Sequence, residues 1–143
     1  MPKTKLVLPE QFTFTMEIPI RITDLNYGGH VGNDSVLSIL HEVRMQFLRH
    51  HEYSEMDMAG TGIIMADVAI EFKNEVFYGE TLRASVAAAD FSRVGFEIFY
   101  KLEKISGEKW ITVAVARTGM VCYNYSLKKI VSVPKEVCTR LLS

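Results

Sequence analysis

The chain has 143 residues, 48% hydrophobic and 23% charged, with 16 Lys and Arg against 17 Asp and Glu for a formal net charge of −1. That suffices for one domain with a sizeable core, and the interleaving of bases with acids argues against a nucleic-acid-binding surface. Cys122 and Cys138 have neither metal-ligand spacing nor a disulfide framework, the N-terminal apolar run is too short for a signal peptide, and no window nears the ~18 apolar residues of a membrane span, so a reduced, cytoplasmic protein is expected.

Phe12, Phe14, Met16, Ile18 and Ile20 alternate with Thr13, Thr15, Glu17 and Pro19, the period of a half-buried strand. Pro19 cannot donate to a ladder, which places this strand at an edge. A polar stretch, Thr23 to His30, contains Gly28-Gly29 and reads as a turn. From Asn33 the period changes to helical. Val36, Ile39, Leu40, Val43 and Phe47 form one stripe, widened by Leu37 and Leu48. Asn33, Asp34 or Ser35 is the expected cap. Gly60 and Gly62 close the connection that follows.

The remainder reads as four strands. Ile64 to Lys73, Leu82 to Ala88 and Phe96 to Glu103 alternate, with turns at Tyr78-Gly79-Glu80, Ser92–Gly95 and Ser106-Gly107-Glu108. The last strand runs from about Trp110 to Tyr125, and its alternation stumbles near Thr118-Gly119, as at a bulge. Pro134 suits the start of a short terminal helix carrying Val137, Leu141 and Leu142. The chain thus reads as one α+β domain over residues 1–143, a curved antiparallel five-stranded sheet wrapped around one long helix.

The segment from Asp24 to Arg44 carries the chemistry. It reads Asp24-Leu25-Asn26-Tyr27-Gly28-Gly29-His30-Val31-Gly32-Asn33, followed in the helix by Glu42-Val43-Arg44. This resembles the signature of the hotdog-fold thioesterases, in particular the 4-hydroxybenzoyl-CoA thioesterase branch, which reads Asp-x-Asp-x-x-Gly-His-Val-Asn-Asn and then Glu-x-Arg in an apolar helix. The strong match covers about 21 residues, and the strand order extends a weaker one over most of the chain. Three positions depart from the pattern. Asn26 stands where the family has its catalytic carboxylate, Gly32 where it has the first Asn, and Val36 where it often has Tyr.

The resemblance implies hydrolysis of an acyl-CoA or acyl-carrier-protein thioester, without a cofactor, by a homodimer or homotetramer with sites between subunits. Such hydrolysis needs donors for a developing oxyanion and a base or nucleophile at the carbonyl carbon. Backbone N–H groups around Gly28, Gly29 and His30, near the helix start, are candidate donors. Candidate bases are Asp24, Glu42 and His30, because the amide of Asn26 cannot take up a proton. Asn26 or Asn33 then orients water or the carbonyl, and Tyr27 joins Gly28, Gly29 and Asn33 as substrate-binding positions.

Each residue also has a plainer reading. Asp24 and Asn26 suit a turn, Asn33 a helix cap, and Glu42 a solvated helix face with Ser35, Ser38, Gln46 and Arg49. The four histidines lack metal-ligand spacing, so no metal is expected. A second reading keeps the scaffold but not the hydrolysis, with Asn26 marking a binder of acyl ligands. A hotdog dehydratase, which pairs His with an acid in another motif, is disfavoured.

Overall fold

The structure is a computed structural model and describes residues 6–143. Strand β1 (Phe14–Pro19) leads through a 3-10 turn (Ile22–Asp24) into helix α1 (Asn33–His50). Strands β2 (Gly62–Phe72), β3 (Thr81–Ala89), β4 (Gly95–Ser106) and β5 (Lys109–Asn124) follow, then a two-residue β6 (Lys129–Ile130) and helix α2 (Lys135–Leu141). The sheet is antiparallel, in the order β1-β3-β4-β5-β2, with β6 beside β5. This is the expected hotdog arrangement, with β6 as an addition. Among the described residues no helix is long and apolar enough to cross a membrane.

Periodicity explains the core. Ile39, Leu40, Val43, Phe47 and Leu48 of α1 are almost wholly buried against Leu82, Ala84 and Val86 of β3 and Ile98, Tyr100 and Leu102 of β4. β1 closes one sheet edge and pairs only with β3, as Pro19 required. At the other edge β2 pairs, among the described residues, only with β5.

Four details differ from the sequence reading. Leu37 is 43% exposed, so the buried stripe is narrower on that side. The helix is capped by Gly32, with no side-chain cap bond, rather than by Asn33, Asp34 or Ser35. Leu142 is exposed, while Val137 and Leu141 are buried. The irregularity near Thr118-Gly119 lies in the facing strand, where the β2–β5 register shifts between Met65 and Asp67. The extra residue turns the Asp67 carboxylate to accept the Gly119 N–H at 3.1 Å, a space that a Cβ on residue 119 would invade. The slip also explains why Ile63, not Ile64, enters the core.

Candidate active site

The loop between β1 and α1 is built from side chains that bond their own backbone. The Asp24 carboxylate, buried at 4% exposure, accepts the Arg21 N–H at 2.8 Å and the Arg21 guanidinium at 3.3 Å. Its backbone carbonyl accepts the Gly32 N–H at 3.3 Å, clasping the loop to the helix start. Asn26 forms the next turn. Its Oδ1 accepts the Gly28 N–H at 2.8 Å, its carbonyl accepts the Gly29 N–H at 3.1 Å, and its own N–H donates to the His30 carbonyl at 2.8 Å. Gly29 sits at φ 78°, where a side chain would be strained. Tyr27 stands fully exposed at the tip.

This turn changes which donors are free. The N–H groups of Gly28 and Gly29, expected as oxyanion donors, are both taken by Asn26. The open donors lie one step later. The first backbone bond of α1 runs from the Val36 N–H to the Gly32 carbonyl at 3.1 Å, and the N–H groups of Asn33, Asp34 and Ser35 have no partner among the described residues. The Asn26 side chain stands against this start, its Cβ 3.4 Å from where a Cβ on Gly32 would lie. With Oδ1 accepting from Gly28, the free end of Asn26 is its NH₂ group. The helix start therefore presents a row of donors at the positive end of a helix dipole, a natural seat for a negative oxygen.

His30 is fixed beside it. The backbone bridges to Phe77, and the Val31 N–H donates to the Val76 carbonyl at 2.8 Å. His30 Nδ1 lies 3.2 Å from the Val31 carbonyl and, as that oxygen only accepts, carries the proton. Nε2 lies 3.9 Å from a Glu75 carboxylate oxygen. Sequence reasoning missed Glu75, because only the long-range bridge to Phe77 brings its segment to the loop.

Two clefts flank α1. One, of about 310 Å³ on the β2 side, is lined by His30, Asn33, Val36, Phe72, Lys73 and Glu75 among others. The other, of about 340 Å³ on the β1 side, is lined by Glu17, Arg21, Asp24, Ser38 and Glu42 among others. The candidate residues are thus divided. His30 and Asn33 meet in the first cleft, Asp24 and Glu42 in the second, and Asn26, Tyr27, Gly28 and Gly29 form the exposed loop beside the helix start.

The family model for the thioesterase-like superfamily matches residues 20–141. A protein of Aquifex aeolicus, provisionally named an esterase, is 28% identical over 111 residues, which span 76% of this chain and 82% of that protein. Among solved structures, the 1,4-dihydroxy-2-naphthoyl-CoA thioesterase of Synechocystis superposes with a TM-score of 0.78 at 20% identity, covering 90% of this chain and 94% of that one. An aspartate-to-asparagine variant of 4-hydroxybenzoyl-CoA thioesterase, complexed with 4-hydroxybenzoyl-CoA, superposes with a TM-score of 0.79 at 15% identity, covering 90% and 97%. At such identities the two structures speak for the fold alone.

Proposed function

The chain belongs to the thioesterase-like superfamily, and on that premise we propose that it hydrolyses the thioester of an acyl-CoA or acyl-carrier-protein substrate at the uncapped start of α1. The observation that carries this reading is the row of free N–H groups at Asn33, Asp34 and Ser35, bordered by the Asn26 amide and the His30 imidazole.

The thioester carbonyl oxygen lies against the helix start, where fixed donors stabilise the negative charge that develops as the carbon becomes tetrahedral. His30 Nε2 takes a proton from the attacking water, and Glu75 stabilises the imidazolium that results. Collapse of the tetrahedral species breaks the carbon–sulfur bond. The imidazolium then returns its proton to the departing thiolate, leaving free acid and thiol. Asp24 holds the loop to the helix, and Asn26 fixes the turn and offers its NH₂ group to the same oxygen.

A homodimer fits this site. β2 presents an 11-residue edge with no strand paired to it among the described residues, with Met65, Val68 and Phe72 exposed on it and Leu37 exposed across the groove on α1. Antiparallel pairing of two β2 strands about a two-fold axis satisfies both edges and covers the groove beside the His30 cleft.

One observation favours binding without turnover. Asn26 stands at the position the resemblance gives to a catalytic carboxylate, and the related aspartate-to-asparagine variant was captured with 4-hydroxybenzoyl-CoA. Thiol release from short, long and aromatic acyl-CoAs separates the two readings. Hydrolysis of at least one thioester by the wild-type chain is the expected result. A wild type inert on every thioester, with activity appearing in Asn26→Asp, would make the protein an acyl binder instead.

A further inference from the structure

The groove between α1 and β2 has a second polar feature, far from the helix start. Asn33, Val36, Leu37, Leu40, His41 and Arg44 follow one another along the same side of α1, as spacings of three and four dictate. Asn33 and Val36 line the His30 cleft, and the other four line a cavity of about 260 Å³ with Met65 and Thr118. Phe72 borders the first cavity and Met65 the second, so β2 runs alongside in the opposite direction. Exposed Leu37 and Val68 lie between. Arg44 is eleven residues beyond Asn33, about 16 Å along the helix.

The floor of this far cavity is polar and buried. Arg44 is 6% exposed and Thr118 1%. Arg44 donates one bond, to the Tyr100 hydroxyl at 3.3 Å, and that hydroxyl lies 2.6 Å from Thr118 Oγ1. A guanidinium only donates, so the Tyr100 oxygen accepts from Arg44, while either hydroxyl can donate in the Tyr100–Thr118 bond. Burial pushes the Tyr100 phenol above its ordinary range, which keeps its proton in place. The two hydroxyls share one bond between them, so one of their two protons, on Tyr100 or on Thr118, is left without an acceptor. The Arg44 Nε–H also lacks one, because the Glu55 carboxylate 3.4 Å away is too far off-line to accept it. Buried donors of this kind are costly to leave unmet.

We infer that the α1–β2 groove takes an acyl group whose far end carries a neutral oxygen, a hydroxyl or keto group, held by Thr118 and Arg44. Glu55 sets the preference for neutrality. It already balances the charge of Arg44, so a carboxylate-ended chain would bring an uncompensated second negative charge into a buried cluster. Exposed apolar walls accommodate the intervening carbons. This selectivity rests on the reading of the helix start as the thioester seat.

The test measures dissociation constants for non-hydrolysable S-alkyl-CoA thioethers over a series of chain lengths, each ending in methyl, hydroxyl or carboxylate. The hydroxyl-ended member is expected to bind about tenfold more tightly than its methyl match at one or more lengths, the gain from a charge-assisted hydrogen bond. The carboxylate-ended member should show no such gain. In Thr118→Val, which keeps the shape of the side chain, and in Tyr100→Phe, the hydroxyl-to-methyl ratio should fall toward one. Equal affinities at every length, or a ratio that neither variant alters, would overturn the inference while thiol release still judged the hydrolase reading on its own. Absence of binding by any thioether would overturn the inference as well, with thiol release again the judge of the hydrolase reading.

Discussion

At its C-terminal end α1 gives the Leu48 carbonyl to the N–H groups of both His51 and Tyr53, at 3.0 and 2.8 Å, and the Arg49 carbonyl to Glu52 at 2.9 Å. His51 is buried there, edge-on to Phe47. At its N-terminal end three N–H groups have no partner among the described residues, and the capping glycine has no side chain to offer. Against a glycine, a side-chain cap contributes only about a few tenths of a kcal/mol, so little stability is forgone by leaving this end open while the other is closed. The difference separates two uses of the same hydrogen-bonding groups. The closed end holds the fold, and the open end is where we propose that a ligand oxygen sits.

The sharpest way to break this contrast is to remove a donor from the open end without disturbing the helix. Asn33→Pro does so, because proline is tolerated at the first helical position and Gly32 already has the extended backbone, φ −79° and ψ 161°, that a following proline requires. The expected result is a folded protein with kcat reduced by about 10²–10³, while Asn33→Ala, which keeps the N–H, loses much less. Steady-state kinetics beside a thermal melt reads both.

Next in size is loss of the proposed β2–β2 pairing that would cover the groove. Val68→Lys places a charge in the exposed face of the β2 edge and is expected to reduce the mass by light scattering to that of one chain, with activity falling in parallel. An unchanged mass would remove β2 from the interface.

A smaller effect belongs to the closed end. Burial, with help from His50 and Arg140, holds the His51 imidazole below its ordinary 6.5. The folded chain therefore binds fewer protons than the unfolded chain as pH drops below 6.5. The stability tied to neutral His51 is fully present above that pH and is lost as pH falls through the depressed value. Denaturant melts across this range should show the loss in wild type and a flatter profile in His51→Asn, with activity at neutral pH little changed.

Much of the fold was legible in the sequence because alternation and the helical stripe each follow from one element's own burial. The slip between Met65 and Asp67 was not, since register belongs to a pair of strands, and only Gly119 opposite betrayed it. Leu37 extends the apolar stripe yet is exposed, because periodicity gives the direction of a face but not its width. The site was half legible. The motif located Asn26, Gly28, Gly29 and His30, but bond geometry was needed to see that Asn26 spends both glycine N–H groups and leaves the donors to the helix start. Glu75, Thr118 and Tyr100 carry no local signal, because the sheet brings them to the groove from distant parts of the chain.

The central claim is that the chemistry belongs to the helix-start cleft with His30 and not to the carboxylate-lined cleft with Asp24 and Glu42. The most direct measurement is kcat/KM for His30→Gln and Glu42→Gln side by side on the best acyl-CoA substrate. The expected result is a loss of about 10²–10⁴ for His30→Gln, the usual contribution of a general base, and a change within about threefold for Glu42→Gln, as for an exposed side chain away from the reacting atoms. The reverse outcome, with His30→Gln near wild type and Glu42→Gln inactive though folded, would contradict it.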